Sequence, residues 1–169
     1  MTKQILGIGA IRGSTLFLRV GVTVIGLGVL ALCITLLPVV WMHAYDEWPQ
    51  HGYAMRAVAA AMYLSAIPFY IGIYKGWRIL GAIDQGRAFS MQPINALRTI
   101  AYCAGIISVI YALSLPFFYI WADNTDAPGL MMIGLFLTGM PLIISVAMAL
   151  LQRLLAEAVT IKSENDLTV

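Results

Sequence analysis

The chain has 169 residues, of which 61% are apolar and 11% are charged, and its mean hydropathy is +0.87. A soluble domain carries about 25% charged residues, and a globule of this length has too little interior to hide so much apolar surface. The formal net charge of +2 is too small to indicate nucleic-acid binding. Composition therefore excludes an ordinary soluble domain and predicts an integral membrane protein.

Four uncharged apolar runs cover residues 20–41, 57–74, 99–122 and 127–152. Each has 18 or more residues, close to the roughly 20 that a helix needs to cross about 30 Å of hydrocarbon. Within lipid the backbone must be hydrogen-bonded inside each segment, so the runs are helices. They lack the alternation of a membrane β-barrel. We predict an all-α, polytopic protein: an antiparallel bundle of four transmembrane helices.

Charge outside the runs predicts the orientation. Nine of the ten basic residues lie beyond the runs on one side, and only Arg56 lies on the other, together with four acidic residues. By the positive-inside rule both termini and the connection 75–98 are cytoplasmic. The first run has 22 residues, more than the roughly 7–15 of a cleaved signal peptide, so we expect it to be retained.

Three shorter segments flank the runs. Residues 1–19 mix apolar and basic side chains, as in a segment lying at the inner interface before it turns into the bilayer, with a frayed terminus as the alternative. Residues 42–56 are expected to form an external loop with aromatic residues among the headgroups. Residues 123–129 form a short external turn rich in Asp, Asn, Pro and Gly, which makes the third and fourth helices antiparallel neighbours.

Residues 75–98 are predicted to form a cytoplasmic helical hairpin. The second helix should continue to about Gly86, because glycine is common just after a helix. Ser90 is the predicted N-cap of the third helix, with Pro93 in its first turn. The basic residues of the hairpin are candidate contacts for anionic lipid headgroups, with a purely topological role as the alternative. They are Lys75, Arg78, Arg87 and Arg98.

The fourth helix is predicted to continue as a tail helix over residues 153–162, followed by a polar tail. Apolar residues recur at helical spacing from Leu150 to Ile161, and we expect this stripe to pack on the cytoplasmic end of the second or third helix. Contact with a partner protein is the alternative. The candidate contact residues are Arg153, Glu157, Lys162, Glu164 and Asp166.

Prolines and small residues give the runs their expected packing. Pro68 and Pro141 fall in mid-run, where the loss of a backbone hydrogen bond predicts a kink or hinge. Glycines such as Gly26, Gly105 and Gly139 are candidates for close approach of helices. The two cysteines lie within the first and third runs and are expected to behave as small apolar residues.

No Asp, Glu, Lys, Arg or His lies in the middle of any run. Ion-coupled transporters and proton relays need such residues at membrane depth, and intramembrane proteases need paired aspartates, a serine with its base or a metal motif. We therefore expect no catalytic residue, cofactor or metal, and no direct contact with nucleic acid. An enzyme or metal site at the outer face would have to use His43, Asp46, Glu47 and His51.

The sequence resembles the uncharacterised bacterial four-span membrane family known as domain of unknown function 2975. The similarity lies in residues 86–90 (GRAFS), 97–101 (LRTIA) and 126–128 (DAP), and most specifically in 154–158 (LLAEA) and 161–169 (IKSENDLTV). The resemblance implies no catalytic residues, since the family has no established activity. It implies a partner, because members are often encoded beside a small helix-turn-helix regulator of the Xre type.

Two functions fit uncharged spans joined to structured cytoplasmic ends. The leading hypothesis is a non-enzymatic membrane sensor or regulatory partner of a cytoplasmic protein, such as a helix-turn-helix regulator. The alternative is a small oligomeric permease or channel for a neutral or apolar solute, with its cavity beside Pro68 and Pro141. The sequence leaves the ligand and the oligomeric state open.

Reporter fusions test the predicted orientation. We expect a fluorescent protein fused after Val169 to mature, and alkaline phosphatase at the same junction to be inactive, because the basic residues hold this end in the cytoplasm. The same two reporters inserted in the turn 123–129 should give the opposite readings. An active phosphatase after Val169 would reverse the assigned sidedness.

Overall fold

The computed structural model describes the backbone of residues 2–47, 52–87 and 90–166 and the side chains of residues 15–44, 52–87, 90–161 and 163–164. Four helices make up this part of the chain: α1 (Thr2–Glu47), α2 (Gly52–Asp84), α3 (Met91–Asn124) and α4 (Gly129–Asp166). Each is long and apolar enough to cross a membrane. The predicted all-α fold of four antiparallel membrane helices is confirmed, while its orientation in the bilayer stays a prediction.

The helices extend beyond the apolar runs. α1 is continuous from Thr2, so the expected turn between residues 1–19 and the first span is wrong. Residues 42–47, expected in an external loop, are helical, and α2 begins at Gly52. α4 continues to Asp166, beyond the expected end at 162. Neither 42–47 nor 163–166 contains a glycine or proline that would stop a helix.

The four helices form an open bundle. Close backbone approaches, with Cα atoms within 8 Å, join α1 to α2, α2 to α3 and α3 to α4, and within the described ranges they join no other pair. The most apolar window of α3 has 33% of its residues buried, against 6% for that of α4. α2 and α3 are therefore the inner helices, and the outer faces of α1 and α4 are left for lipid.

The core lies between α2 and α3. Val58, Tyr111 and Phe118 are at most 6% exposed and pack together at its centre. The hydroxyls of Ser65 and Tyr111 lie 3.0 Å apart, and the Ser65 hydroxyl also donates to the carbonyl of Met62 at 2.9 Å. Since a hydroxyl has one proton to donate, Tyr111 is the donor to Ser65. This pair joins the inner helices inside the apolar layer.

Two tyrosine hydroxyls attach α1 to α2. Tyr63 donates to the carbonyl of Cys33 at 3.0 Å, and Tyr70 donates to the carbonyl of Gly26 at 2.9 Å. Helical carbonyls have a second lone pair, so they accept these bonds without losing their own. The two contacts lie two turns apart along each helix and set the register of α1 on α2.

Two serine hydroxyls join α3 and α4 in the same way. Ser108 donates to the carbonyl of Thr138, and Ser145 donates to the carbonyl of Ala101, each at 2.8 Å. The bonds run in opposite directions across the interface, so each helix both donates and accepts. The Ser145 Oγ atom lies 3.3 Å from the position of a Cβ atom on Gly105, which confirms the expected close approach there.

Glycines permit close packing at some of the expected positions. A Cβ atom on Gly134 would lie 2.9 Å from Cγ of Phe118, so this ring packs directly on the backbone of α4. A Cβ atom on Gly26 would lie 3.2 Å from Cδ1 of Ile73, as the sequence predicts. The prediction is wrong for Gly139, because apart from the neighbouring backbone of α4 no described atom lies within 4 Å of its Cβ position.

Gly134→Ala and Gly139→Ala form a matched pair that tests the α3–α4 packing. Both substitutions gain the same helix propensity, but only the first forces a methyl group against Phe118. We expect Gly134→Ala to be less stable than Gly139→Ala by about 1–3 kcal/mol. Unfolding in mixed detergent and dodecyl sulfate measures the difference. Equal stabilities would contradict the Phe118–Gly134 contact.

Candidate functional site at the basic end

The basic end is the end of the bundle that holds the α2–α3 connection. α2 ends there in a Schellman motif, in which the N–H of Arg87 donates to the carbonyl of Ala82 at 2.9 Å and that of Gly86 to Ile83 at 3.0 Å. Gly86 has φ +68°, a conformation that favours glycine. The predicted stop of the second helix at this glycine is confirmed.

Ser90 occupies the predicted N-cap position of α3. Its hydroxyl donates to the carbonyl of Arg87 at 2.9 Å and makes no bond to the N–H groups of the first turn. Pro93 is buried within that turn. Ser90 therefore closes the connection, and the last turns of α2 lie beside the first turns of α3.

A cleft of about 350 Å³ lies between these turns. Lys75 and Arg78, three residues apart on α2, lie on the same side of their helix, as do Gln92 and Asn95 on α3. Neither cation forms an ion pair with a described side chain. The described lining holds two cations, two amides and no carboxylate, which is the chemistry of an anion site. It consists of Lys75, Arg78, Met91, Gln92, Asn95 and Ala96.

The structure brings together only two of the four predicted headgroup residues. Arg87 is exposed in the connection, and Arg98 is exposed on α3 with its Cζ atom 5.7 Å from the ring centroid of Tyr102. Neither lines the cleft. Sequence reasoning missed Gln92 and Asn95, although their spacing repeats that of Lys75 and Arg78 across a turn that it had located. Headgroup contact itself stays a prediction.

Arg19 contacts two residues of α2 at the basic end. Its Nη2 atom lies 2.8 Å from Oδ2 of Asp84, and the two side chains are 35% and 26% exposed. Its Cζ atom lies 5.9 Å from the ring centroid of Trp77. The guanidinium thus ties α1 to the last two turns of α2. The sequence had no signal for this pair, because the residues are far apart in the chain.

The tail of α4 leaves much of its predicted apolar stripe uncovered. Leu150, Leu154 and Ile161 are 57%, 64% and 66% exposed. The expectation that the stripe packs on the second or third helix is wrong for these residues; Leu155 and Ala158 are half-buried. The physical reason is the rotation of α4, since the hydrogen bond of Ser145 to α3 turns a different face inward.

The candidate partner-contact residues lie along this tail. Arg153, Glu157 and Glu164 are exposed. The side chains of Lys162 and Asp166 lie outside the described residues. Partner contact at these positions stays a prediction.

The two mid-run prolines lie within continuous helices. Pro68 is buried in α2, and Pro141 is half-buried in α4. Neither lines the cleft at the basic end or a second, apolar groove of about 330 Å³ on α3 and α4. Their role as hinges stays a prediction.

The outer-face candidates are only partly described. Among the described side chains, no three His, Cys, Asp or Glu residues group together in a way that could hold a metal ion. Nδ1 of His43 lies 3.0 Å from the carbonyl oxygen of Val39. The side chains of Asp46, Glu47 and His51 lie outside the described residues.

Comparison with known proteins agrees with this architecture. Residues 15–169 match the family described as "Protein of unknown function (DUF2975)". The chain is 44% identical over 158 residues to "Uncharacterized membrane protein YoaS" of Bacillus subtilis (strain 168), and the match covers 94% of this chain and 99% of that relative. No solved structure matches.

A charge cycle tests the tie between Arg19 and Asp84. Arg19→Gln should lower the free energy of unfolding by about 0.5–1 kcal/mol, because the pair is partly exposed. Arg19→Asp combined with Asp84→Arg should recover most of that loss. Arg87→Gln, which removes an exposed arginine at the same end, should change the stability little. No coupling between positions 19 and 84 in the cycle would contradict the ion pair.

Proposed function

We propose that this chain, which belongs to the DUF2975 family, is a non-enzymatic regulatory protein of the bacterial inner membrane that holds a cytoplasmic protein at its basic end. A helix-turn-helix regulator is the proposed partner. The observation that carries the proposal is the uncovered apolar stripe on the tail of α4. Leu154 and Ile161 are about two-thirds exposed there.

The length of α4 supports a docking segment outside the bilayer. At about 1.5 Å per residue, its 38 residues span about 57 Å, whereas the hydrocarbon layer is about 30 Å thick. The uncharged run ends at Gln152, so the helix from Arg153 to Asp166 projects into water on the side of the basic residues. By the positive-inside rule this side is the cytoplasm.

The chemistry of the projecting segment suits a protein partner. Leu154 and Ile161 lie seven residues apart, hence two turns apart on one face, which is the spacing of apolar anchors when a helix docks into a groove. Covering both side chains would remove apolar surface from water, the main driving force of association. Glu157 lies between them and supplies a polar contact that fixes the register.

The uncharged spans support a function without catalysis. No Asp, Glu, Lys, Arg or His lies in the middle of any run, so the spans supply none of the charged groups that acid–base catalysis and ion coupling most often use. The hydroxyls of Ser65, Ser108 and Ser145 are engaged in joining helices. The working surfaces of the proposed protein are therefore its end and its lipid-facing sides.

A small oligomeric permease is the other function that uncharged spans permit. Its proposed cavity would lie beside Pro68 and Pro141, and neither proline lines either of the two described clefts. The bundle is also open between α1 and α4 within one chain. No described feature favours transport over the regulatory function.

Substitution of the two apolar anchors tests the proposed docking. When the chain is co-expressed with a small helix-turn-helix regulator of the Xre type, that protein should co-sediment with membranes. The double variant Leu154→Ser/Ile161→Ser should reduce the membrane-bound fraction at least about tenfold, because two apolar contacts are lost. The control Thr160→Ala changes an exposed residue off the stripe and should retain binding.

Two results would overturn the docking proposal. One is recruitment that is equal in the wild type and the double variant. The other is an absence of recruitment by the wild-type chain although both proteins are produced. Equal amounts of the chain in the membrane fraction show that the variant inserts normally.

A further inference from the structure

We propose that the cleft at the basic end binds the headgroup of an anionic phospholipid, and that one acyl chain of this lipid lies along the exposed face of α3. The phosphate would sit between Lys75, Arg78 and Asn95. The acyl chain would lie along Tyr102, Ile106 and Val109, which we call the α3 stripe.

The cleft lies at the depth of lipid phosphates. Lys75 directly follows the uncharged run 57–74, and Asn95 lies one turn before the uncharged run that begins at residue 99. Tyr74, Trp77 and Tyr102 surround the same level and are 61%, 42% and 61% exposed. Tyr and Trp concentrate at the headgroup layer of membrane proteins. The cations therefore lie beside the boundary between hydrocarbon and water.

The cleft and the α3 stripe lie on one side of α3. Asn95, Tyr102, Ile106 and Val109 follow one another at seven, four and three residues, which keeps them on the same face of the helix. The stripe residues are 61%, 52% and 58% exposed. They line the apolar groove of about 330 Å³, whose wall toward α4 is formed by Ser145. A polar cleft thus leads into an apolar groove, just as the polar headgroup of a phospholipid is followed by its apolar acyl chain.

Charge selects an anionic occupant. Lys75 and Arg78 form no ion pair with a described side chain, and Gln92 and Asn95 add amide donors. Arg98, held over the ring of Tyr102, adds a third cation between the cleft and the groove. Guanidinium and ammonium groups bind phosphate strongly. An uncharged solute would leave these charges without a partner.

The lipid site does not depend on docking at the tail. Its residues belong to α2 and α3, apart from Ser145, whereas the proposed partner binds α4 beyond residue 152. The bound lipid would be the signal to which the proposed regulatory protein responds. The two proposals fail separately, since Leu154→Ser/Ile161→Ser leaves every residue of the lipid site unchanged.

Native mass spectrometry of the purified chain tests the headgroup site. We expect the first phosphatidylglycerol to bind more tightly than phosphatidylcholine. Lys75→Gln/Arg78→Gln should weaken this binding by about 30-fold, since each cation near a membrane surface contributes about 1 kcal/mol. Arg78→Gln alone should weaken binding about fivefold, and its matched control Arg87→Gln less than about twofold. Inorganic phosphate at millimolar concentration should not displace the lipid.

A photoreactive phosphatidylglycerol tests the path of the chain. With a diazirine in its acyl chain, this lipid should label residues 102–109 in the wild type and lose that labelling in Lys75→Gln/Arg78→Gln.

In the mass-spectrometry experiment, equal weakening of lipid binding by Arg78→Gln and Arg87→Gln would indicate a general electrostatic attraction and overturn the site. Full displacement by inorganic phosphate would assign the cleft to a soluble anion. If the photoreactive lipid labels only residues outside 102–109, the proposed path of the acyl chain along α3 is overturned.

Discussion

A hydroxyl group in hydrocarbon has no water to bond, so it must find its partner inside the protein. Every pair of packed helices in this chain uses that requirement. Tyr63 and Tyr70 bond to the backbone of α1, Ser65 bonds to Tyr111 between α2 and α3, and two serines bond across α3 and α4. Each such bond contributes roughly 0.6–2 kcal/mol. Apolar packing alone would let the helices slide and rotate; these bonds set register and rotation.

The rotation that these bonds impose decides which surfaces remain available. With Ser145 bonded to Ala101, the face of α4 that contains Ser145 turns toward α3, and Leu154 and Ile161 stay exposed. The same packing leaves Tyr102, Ile106 and Val109 on the open side of α3. The two surfaces proposed to bind a protein and a lipid thus follow from how the bundle is held together.

Arginines hold α1 to α2 at both rims of the bilayer. Arg19 bonds to Asp84 at the basic end, and Arg56 lies over Trp41 at the other, with its Cζ atom 5.4 Å from the ring centroid. Residues 19 and 41 are about 33 Å apart along α1, close to the thickness of the hydrocarbon layer. Each guanidinium therefore lies near the boundary between hydrocarbon and water, while the tyrosine hydroxyls join the helices in the interior.

The sequence alone determined the number of helices, the antiparallel order in which they follow one another, and where α2 ends and α3 begins, at Gly86 and Ser90. Those features depend on local chemistry: an apolar run in lipid has to be helical, and a positive φ favours glycine. Only the tertiary structure decided that Arg19 meets Asp84, that Gln92 and Asn95 join Lys75 and Arg78, and that the tail stripe faces outward. Every run is apolar on all sides, as a helix in lipid must be, so periodicity could not show which face packs inward.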